Sequence, residues 1–261
     1  MSPTPASYHL SETTALPEQR PTPRYRLRLA DGADDVRAAQ ALRFAVFNLE
    51  LNEGLPQSYD TGLDADPFDE VCDHLLVEDA QSGAIVGTYR LQTGLRAGAA
   101  RGYYSEREFD FSPFEAARPL ILELGRACIH QRHRHFAVLN LLWSGIASYA
   151  HEQGARYLVG CSSLNSQDAG EGWAAYRAMA RHLAPPAWRT QPRNAFVCPH
   201  SPQPAAAPRL PRLLSAYLAL GAEICGPPAI DREFRTIDFL TLLDLHSPGV
   251  MALQARGRFA G

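Results

Sequence analysis

The chain has 261 residues, of which 46% are hydrophobic and 20% charged, a composition typical of a globular protein. Its formal net charge of −3 does not mark the whole chain as a nucleic-acid binder. All 25 basic residues are arginine, which excludes chemistry that depends on lysine, such as a Schiff base or a phosphate-loop lysine. The five cysteines are odd in number and never spaced C-x-x-C, which favours a reducing compartment over a disulfide framework.

The composition divides the chain into three regions. Residues 1–23 are polar and proline-rich and are predicted to be a flexible tail, residues 24–247 a single domain, and residues 248–261 a weakly patterned C-terminal tail. No secretory signal is expected, and the longest apolar segment falls short of the ~20 residues that a membrane-spanning helix needs. We therefore expect a cytoplasmic protein, with peripheral contact to the inner face of the membrane left open.

The first half of the chain is predicted to form a strand, a helix and a hairpin. Tyr25 to Leu29 alternate apolar residues and arginine, as a half-buried strand does, and Asp34-Asp35 then begin a helical pattern that extends to Leu51. Residues 52–70 form a polar, acidic loop. The runs HLLVED and AIVGTYRLQ, residues 74–79 and 84–92, predict a hairpin, and a glycine- and arginine-rich excursion follows at 94–102.

The second half alternates strands and helices. Apolar content predicts strands over 119–129, 155–163 and 235–245. Helical periodicity predicts helices over 136–152, 169–183 and 210–222, and the proline-rich stretch 185–211 is expected to be a long loop. Hairpin strands followed by this alternation indicate an α/β sheet layered with helices.

Glu123 and Arg126 lie inside the otherwise apolar strand 119–129. A β-bulge near Gly125 would bring both side chains onto one face of the sheet. A buried glutamate is either paired or has a raised pKa, and both states suit an acid or base. The alternative is a structural ion pair, which the motif alone favours.

Two further stretches are rich in ionisable groups. The acidic loop 64–70, with Arg43 one helix earlier, could hold an ammonium group, although a solvated loop is the simpler interpretation and the spacing is not that of a calcium loop. The turn HQRHRH at 130–135 precedes the 136–152 helix and could bind an anion there, or could be a solvated basic turn. Its histidines lack a cysteine or carboxylate at ligand spacing, so we expect no metal site.

Eight stretches spread over about residues 25–245, in the same order, resemble the ornithine N-acyltransferases, which belong to the hemolysin-like branch of the GNAT acyltransferases. They are RAAQALRFAVF, DxFDxxCDHLLV, GTYRL, YYSEREFD, ELGRACIH, LLWSGIASY, YLVGCSS and LPRLLSAYLALGA. The resemblance implies a GNAT-like fold with a central, mixed, twisted sheet flanked by helices. It also implies transfer of a 3-hydroxyacyl chain from acyl carrier protein to the α-amine of L-ornithine, giving lyso-ornithine lipid.

The chain also resembles the acyl-homoserine-lactone synthases more distantly, through R-x3-F, D-x2-D, a lone arginine and E-x2-R. In this sequence these are Arg43/Phe47, Asp66/Asp69, Arg90 and Glu123/Arg126. The tryptophan expected soon after R-x3-F is absent and Glu53 lies near its place, so lactone synthesis is not expected. By this likeness Glu123 and Arg126 are candidate catalytic residues, and Arg43, Phe47, Asp66, Asp69 and Arg90 are candidate substrate-binding residues, with Asp66 and Asp69 proposed for the ornithine ammonium.

Ordinary GNAT enzymes hold the coenzyme A pyrophosphate in a loop with the pattern R-x-x-G-x-G/A. The corresponding residues of this chain are Arg134-His135-Phe136-Ala137-Val138-Leu139, and neither glycine is present. This departure favours an acyl carrier protein, which brings one phosphate on its own phosphopantetheine, so no separate cofactor is expected. Arg132 and Arg134 are predicted to bind the carrier or its arm. Two alternatives stay open: an acyl-coenzyme A acetyltransferase acting on a small amine, and an N-acyl amino acid synthase that uses another amino acid such as glycine.

Overall fold

The structure, a computed structural model, describes residues 23–201, 206 and 208–254. Its eight strands belong to one sheet with the order β1-β2-β3-β4-β5-β8-β6, and β7 pairs with β8. The strands are β1 Tyr25–Leu29, β2 Asp73–Asp79, β3 Ile85–Thr93, β4 Ile121–Ile129, β5 Tyr157–Leu164, β6 Glu223–Ile224, β7 Ala229–Asp231 and β8 Thr236–Asp244. Strands β4 and β5 pair in parallel and the other pairs are antiparallel, which confirms the predicted mixed sheet.

Helices flank this sheet, as predicted. They are α1 Ala33–Phe44, α2 Ser58–Thr61, α3 Gly94–Ala99, α4 Phe136–Glu152, α5 Ala169–Ala178, α6 Arg212–Ala219 and α7 Pro248–Gln254. Helix α1 continues into a π-helical turn, Ala45–Glu50, and short 3-10 turns lie at Tyr104–Arg107 and in the proline-rich stretch. No helix within the described residues is long and apolar enough to cross a bilayer.

Most predicted elements are present, and the differences lie at short segments. The hairpin and the helix 136–152 are confirmed. Helix α3 lies in the predicted excursion because the Thr93 hydroxyl caps its first turn. Beyond 247 the chain forms α7, whose Val250 is fully buried, where the sequence predicts a tail. The N-terminal tail lies, apart from Pro23, outside the described residues, as do residues 255–261.

The two faces of the sheet bury different side chains. On one face, called here the α4 face, Val138, Leu142 and Ile146 of α4 pack on strand residues such as Leu122 and Leu158. The opposite face is covered by α1 and by an aromatic cluster of Tyr103, Phe109, Phe111 and Phe114. Because side chains alternate along a strand, neighbouring residues of β4 and β5 point into different cores.

Strands β4 and β5 separate in the middle of the sheet. Their pairing runs from Ile121 to Glu123, opposite Tyr157 to Val159, and ends there although both strands continue. Just beyond, β4 has one extra residue relative to β3, since Arg90 pairs with Gly125 but Thr88 pairs with Cys128. Arg126 has a φ of 50° in this bulge. The bulge predicted near Gly125 is therefore confirmed, and it places Glu123 and Arg126 on the same face, opposite α4.

Candidate active site

A cavity of about 410 Å³ opens where β4 and β5 separate, and it crosses the sheet. Its wall includes Glu123 and Cys161, which belong to the face opposite α4, and also Leu124 and Leu158, which belong to the α4 face. A gap between two strands is a place where a substrate can reach the backbone N–H groups that the sheet no longer uses. The cavity is therefore the candidate site for substrate binding and catalysis.

The two ends of the cavity differ in polarity. The end on the α4 face is bounded by apolar and aromatic side chains, namely Tyr89, Leu124, Ala127, Leu158, Leu213, Leu214, Tyr217, Ala222 and Leu243. The end on the opposite face carries carboxylates and hydroxyls, namely Glu53, Ser105, Glu108, Glu123, Asp231, Thr236 and Asp238, and also the guanidinium groups of Arg90 and Arg126, which are paired with the acidic loop. One end can therefore hold hydrocarbon and the other a cation.

Glu123 lies at the middle of the cavity, directly before the strands separate. Its Oε1 accepts hydrogen bonds from the Ser105 backbone N–H at 2.8 Å and from the Ser105 hydroxyl at 2.6 Å, and its Oε2 accepts one from the Tyr104 N–H at 2.8 Å. Burial raises the pKa of this carboxyl, and the three donors oppose the shift. Glu123 is therefore fixed in position, with one side of Oε2 left for a further partner.

Arg126 does not pair with Glu123, so an ion pair between these two residues is wrong for the described structure. Its guanidinium instead forms ion pairs with Asp64 at 3.2 Å and Asp66 at 2.9 Å. It also lies over the rings of Tyr104, at 4.9 Å, and Phe234, at 4.1 Å. The side chain still lines the cavity, so it can meet a bound substrate from the side.

Arg126 belongs to a buried arginine–aspartate network that joins α1, the acidic loop, β3 and β4. The network consists of Arg43, Arg90 and Arg126 with Asp64, Asp66 and Asp69. Arg43 braces the loop, since it pairs with Asp69 at 2.6 Å and donates to the Asp64 carbonyl. Burial would raise the pKa values of Asp66 and Asp69, but the neighbouring arginines lower both.

The structure gives the two aspartates predicted to bind ornithine internal partners. Asp69 accepts from Gln40, Arg43 and Arg90, and Asp66 from Arg90 and Arg126. Neither contributes to the cavity wall, nor does Arg43. Of the predicted substrate-binding residues, Phe47 and Arg90 do line the cavity, and the Phe47 ring lies 6.4 Å from that of Phe234.

Three buried carboxylates that the sequence analysis did not single out form an acidic cluster at the polar end: Glu108, Asp231 and Asp238. One oxygen from each lies within 4.8 Å of the others, a separation at which they could hold a cation. Burial and the neighbouring carboxylates raise the pKa of Asp238 to about 6 and that of Glu108 well above its usual range. Asp238 is a charged residue inside the apolar run TIDFLTLL, just as Glu123 is inside its apolar strand, so the same sequence pattern could have identified it. Glu108 lies in the stretch YYSEREFD that carries the family resemblance, but nothing in that stretch marks it as a site residue, and no local pattern points to Asp231. Tertiary structure brings both to Asp238.

Glu53 also lines this end of the cavity. Burial, together with the charge of Asp238, raises its pKa to about 7. A carboxyl that is half ionised near neutral pH can accept or donate a proton there. Glu53 is therefore a second candidate proton acceptor, and the sequence signalled it through its position near the missing tryptophan.

The basic turn lies outside the cavity, at the N-terminus of α4. Arg134 pairs with Glu50 at its Nη atoms and donates from Nε to the Ile129 carbonyl at 2.9 Å, while Arg132 is exposed. Leu49, which precedes Glu50, and Phe136, which lies two residues after Arg134, are 63% and 67% exposed. The turn thus combines arginines with exposed apolar side chains, and a binding role for Arg132 and Arg134 stays a prediction.

Comparison with known proteins identifies the family. A profile of the acetyltransferase (GNAT) domain matches residues 42–144. The chain is 33% identical to the L-ornithine N(alpha)-acyltransferase of Rhodobacter capsulatus over 84% of its own length and 90% of the relative. It is 32% identical to the L-ornithine N(alpha)-acyltransferase of Rhizobium meliloti over 90% of its own length and 84% of the relative. The chain belongs to the L-ornithine N(alpha)-acyltransferase family.

Membership of this family makes the protein an acyltransferase with a GNAT fold, as the sequence predicted. Among solved structures, FeeM, an N-acyl amino acid synthase from uncultured soil microbes, has a similar fold, with a TM-score of 0.52 at 13% identity over 86% of this chain and 92% of FeeM. In this L-ornithine N(alpha)-acyltransferase family member, the cavity at the separated strands is the candidate active site.

Proposed function

We propose that this acyltransferase moves a 3-hydroxy fatty acyl group from acyl carrier protein to the α-amine of L-ornithine and so makes lyso-ornithine lipid. The proposal rests on one observation: the cavity crosses the sheet, with an apolar end on the α4 face and an acidic end on the other. A fatty acyl chain suits the first end and a cationic amino acid the second. The relatives named above support the ornithine acceptor.

The apolar lining of this end of the cavity supports a long acyl group. Leu158, Leu213, Tyr217 and Leu243 are among its walls, and the Tyr89 and Tyr217 hydroxyls, 2.6 Å apart, satisfy each other. Each buried methylene contributes about 0.8 kcal/mol, so a wall of this kind favours a fatty chain over an acetyl group. A 3-hydroxyl would lie near the strand gap, where polar groups begin.

The reaction needs a neutral amine beside a thioester carbonyl. Glu123 takes a proton from the α-ammonium, directly or through water, and the amine then attacks the carbonyl carbon. A backbone N–H exposed where the strands separate stabilises the oxyanion. The C–S bond breaks as the amide C–N bond forms, the attacking nitrogen loses its second proton, and the departing thiolate of the phosphopantetheine arm takes up a proton. Arg126, beside the cavity, orients the α-carboxylate.

Substitution of Glu123 by glutamine tests the base. We expect Glu123→Gln to lower kcat by about 10²-fold or more, since a positioned base contributes at least that much. Ser105→Ala is the matched control, because it removes one hydrogen bond to Glu123 but keeps the carboxylate, and should lower kcat far less. If Glu53→Gln lowers kcat more than Glu123→Gln does, the base is Glu53.

Donor choice depends on the region around α4. An acidic carrier protein could pair with the charge of Arg132 and contact the exposed side chains of Phe136 and Leu49. Residues 134–139 contain no glycine, so a pyrophosphate cannot approach their backbone closely. We expect charge reversal at Arg132 to raise KM for the carrier without changing KM for ornithine. Charge reversal at Arg177, which is exposed on α5, is the comparison. Equal effects on both KM values would contradict docking at the turn.

The overall proposal is tested with purified protein, ornithine and one acyl chain presented on acyl carrier protein or on coenzyme A, with the products identified by mass spectrometry. We expect N-acyl-ornithine from the carrier-bound donor at the higher kcat/KM. Equal use of acyl-coenzyme A would overturn the donor assignment, and preference for acetyl-coenzyme A would make the protein an acetyltransferase. Preference for glycine would make it a different N-acyl amino acid synthase. Sedimentation with phospholipid vesicles tests the expected peripheral contact with membranes.

A further inference from the structure

The acidic cluster is assembled from three separate parts of the chain. Glu108 follows the 3-10 turn Tyr104–Arg107, Asp231 ends β7, and Asp238 lies on β8. Their exposed fractions are 2%, 5% and 3%, yet all three line the cavity. They are therefore shielded from bulk water but open to whatever occupies the cavity.

Among the described residues, the three carboxyl groups of the cluster have hydrogen-bond partners but no ion-paired cation. Asp231 Oδ1 accepts from the Glu233 and Phe234 N–H groups, and Asp238 Oδ2 accepts from the Thr236 hydroxyl at 3.2 Å. The Glu108 and Asp238 carboxyl groups also share a hydrogen bond, and the Ser163 side chain hydrogen-bonds to Asp238. In the part of the chain that the structure describes, Glu108 Oε2 and Asp238 Oδ1 have no further donor.

The positive charge of Arg107 lowers the pKa of Glu108, but Arg107 forms no ion pair with it. Arg107 pairs instead with the exposed Glu233 at 3.7 Å. Buried, unpaired carboxylate oxygens that face one cavity are costly unless a cation arrives to compensate them.

The cluster lies close to the reaction centre. The Cys161 thiol experiences the charges of Glu108 and Asp238 and also that of Glu123. The Tyr104 hydroxyl experiences Glu108 and Asp231, while its ring is stacked under Arg126. Glu123, Arg126 and the three carboxylates of the cluster all line the same cavity. A small molecule held at the reaction centre by its α-carbon could reach the cluster with its side chain.

We propose that Glu108, Asp231 and Asp238 form the subsite for the side-chain ammonium of the acceptor amino acid and exclude acceptors whose side chain is uncharged. This deepens the proposed function and rests on it. An ammonium group has three N–H donors for the three carboxylates. Three oxygens at most 4.8 Å apart surround a point no more than ~2.8 Å from each, the length of a charge-assisted N–H···O bond.

Selectivity follows from the missing partners. An acceptor without a side-chain cation would bury itself against unpaired carboxylates, and sites built to pair with a polar group reject analogues that lack it strongly. Norvaline has the carbon skeleton of ornithine without the terminal amine and is therefore the matched probe. We expect wild-type kcat/KM for ornithine to exceed that for norvaline by roughly 10²-fold or more.

Two isosteric variants test the cluster, with an exposed glutamate as control. Glu108→Gln and Asp238→Asn should each lower kcat/KM for ornithine about 10-fold or more, mainly through KM, and should leave norvaline unchanged or improved. Glu233→Gln removes an exposed carboxylate next to the cluster and should change neither acceptor. If the cluster variants lower ornithine and norvaline equally, or lower neither, the subsite does not recognise the ammonium.

Thermal melting without any donor separates this inference from the proposed function. Ornithine, but not norvaline, should raise the Tm of the wild type, and should raise the Tm of Glu108→Gln less. That result supports the subsite even if the donor or the product is assigned wrongly. Failure of ornithine to shift the wild-type Tm, in a protein that acylates ornithine and norvaline alike, overturns the subsite and leaves the acyl transfer standing.

A divalent cation is the competing occupant and is tested directly. The wild type is dialysed against Mg²⁺, Ca²⁺ or Mn²⁺ and assayed with and without a chelator. We expect no stoichiometric binding and no loss of ornithine turnover on chelation. Metal bound at one equivalent, lost in Glu108→Gln and required for turnover, would make the cluster a metal site and overturn the proposal.

Discussion

The two buried charge clusters on the same face of the sheet differ in whether their charges are compensated by ion pairs. The arginine–aspartate network balances three cations with three anions and connects four segments of the chain. The acidic cluster has three carboxyl groups and, in the described structure, no ion-paired cation, and burial together with the neighbouring carboxylates raises the pKa values of Glu108 and Asp238. Both are shielded from water, so the difference lies in which charges are compensated by the protein itself.

This difference separates structural charge from functional charge. A balanced network holds α1 and the acidic loop against β3 and β4 and so fixes the floor of the active site. An unbalanced cluster destabilises the empty protein and becomes favourable only with a bound cation, which is how a site gains selectivity. The sequence favoured Asp66 and Asp69 for ornithine binding, but the structure has them already neutralised.

Breaking the balanced network should have the largest effect. Asp69→Asn leaves Arg43 and Arg90 with less compensating charge, and loss of one partner of a buried pair costs about 3–5 kcal/mol. We expect the free energy of unfolding, measured with urea, to fall by that amount. A loss close to that of an average surface substitution would mean that the network is not a structural element.

The two clusters should respond to pH in opposite directions. The pKa of Asp238 is raised from near 4 to about 6, so the folded state binds its proton more tightly than the unfolded state. Stability should therefore fall as pH rises from about 4 to 6, with a slope of up to about 1.4 kcal/mol per pH unit from this group. The pKa of Asp66 is lowered, so its contribution is present above about pH 4 and is lost as pH falls.

Urea unfolding at several pH values measures this dependence. Asp238→Asn should make the fall between pH 4 and 6 shallower and leave the loss at lower pH, because the raised pKa values of Glu53 and Glu108 still contribute to the fall. If wild type and variant have the same profile, Asp238 does not bind a proton more tightly in the folded protein.

Neutralising one carboxylate of the acidic cluster should stabilise the empty protein. We expect Glu108→Gln to raise the free energy of unfolding at pH 8 by about 0.5–2 kcal/mol, as active-site substitutions that relieve repulsion do, while ornithine turnover falls. Gain of stability with loss of function is the signature of an unbalanced site. A loss of stability would show that the carboxylate has a structural partner.

An exposed ion pair gives the smallest effect. Arg156 and Asp244 pair at 2.8 Å with side chains 42% and 31% exposed. Such pairs contribute little in water. Arg156→Met should leave the urea midpoint within experimental error, and a clear shift would mean that ion pairs in this fold stabilise it regardless of burial.

Local pattern was sufficient for most elements and for part of the site. The alternation and periodicity of apolar residues predicted the hairpin, α4 and the strands around 123 and 159, and the glycine in ELGR predicted the bulge. A charged residue in an apolar strand marked Glu123, and the same signal was available for Asp238. The two-residue and three-residue strands β6 and β7 are too short to show any period.

The sequence by itself determined that this chain is an α/β acyltransferase of the ornithine N-acyltransferase family, because ordered motifs over most of its length carry that information. Only the tertiary structure decided which carboxylates are compensated. Asp66 and Asp69 meet arginines from α1, β3 and β4, whereas Glu108, Asp231 and Asp238 converge from three segments, and no arginine of residues 23–201 or 208–254 forms an ion pair with them. Charge compensation acts through space, over distances that sequence separation does not record.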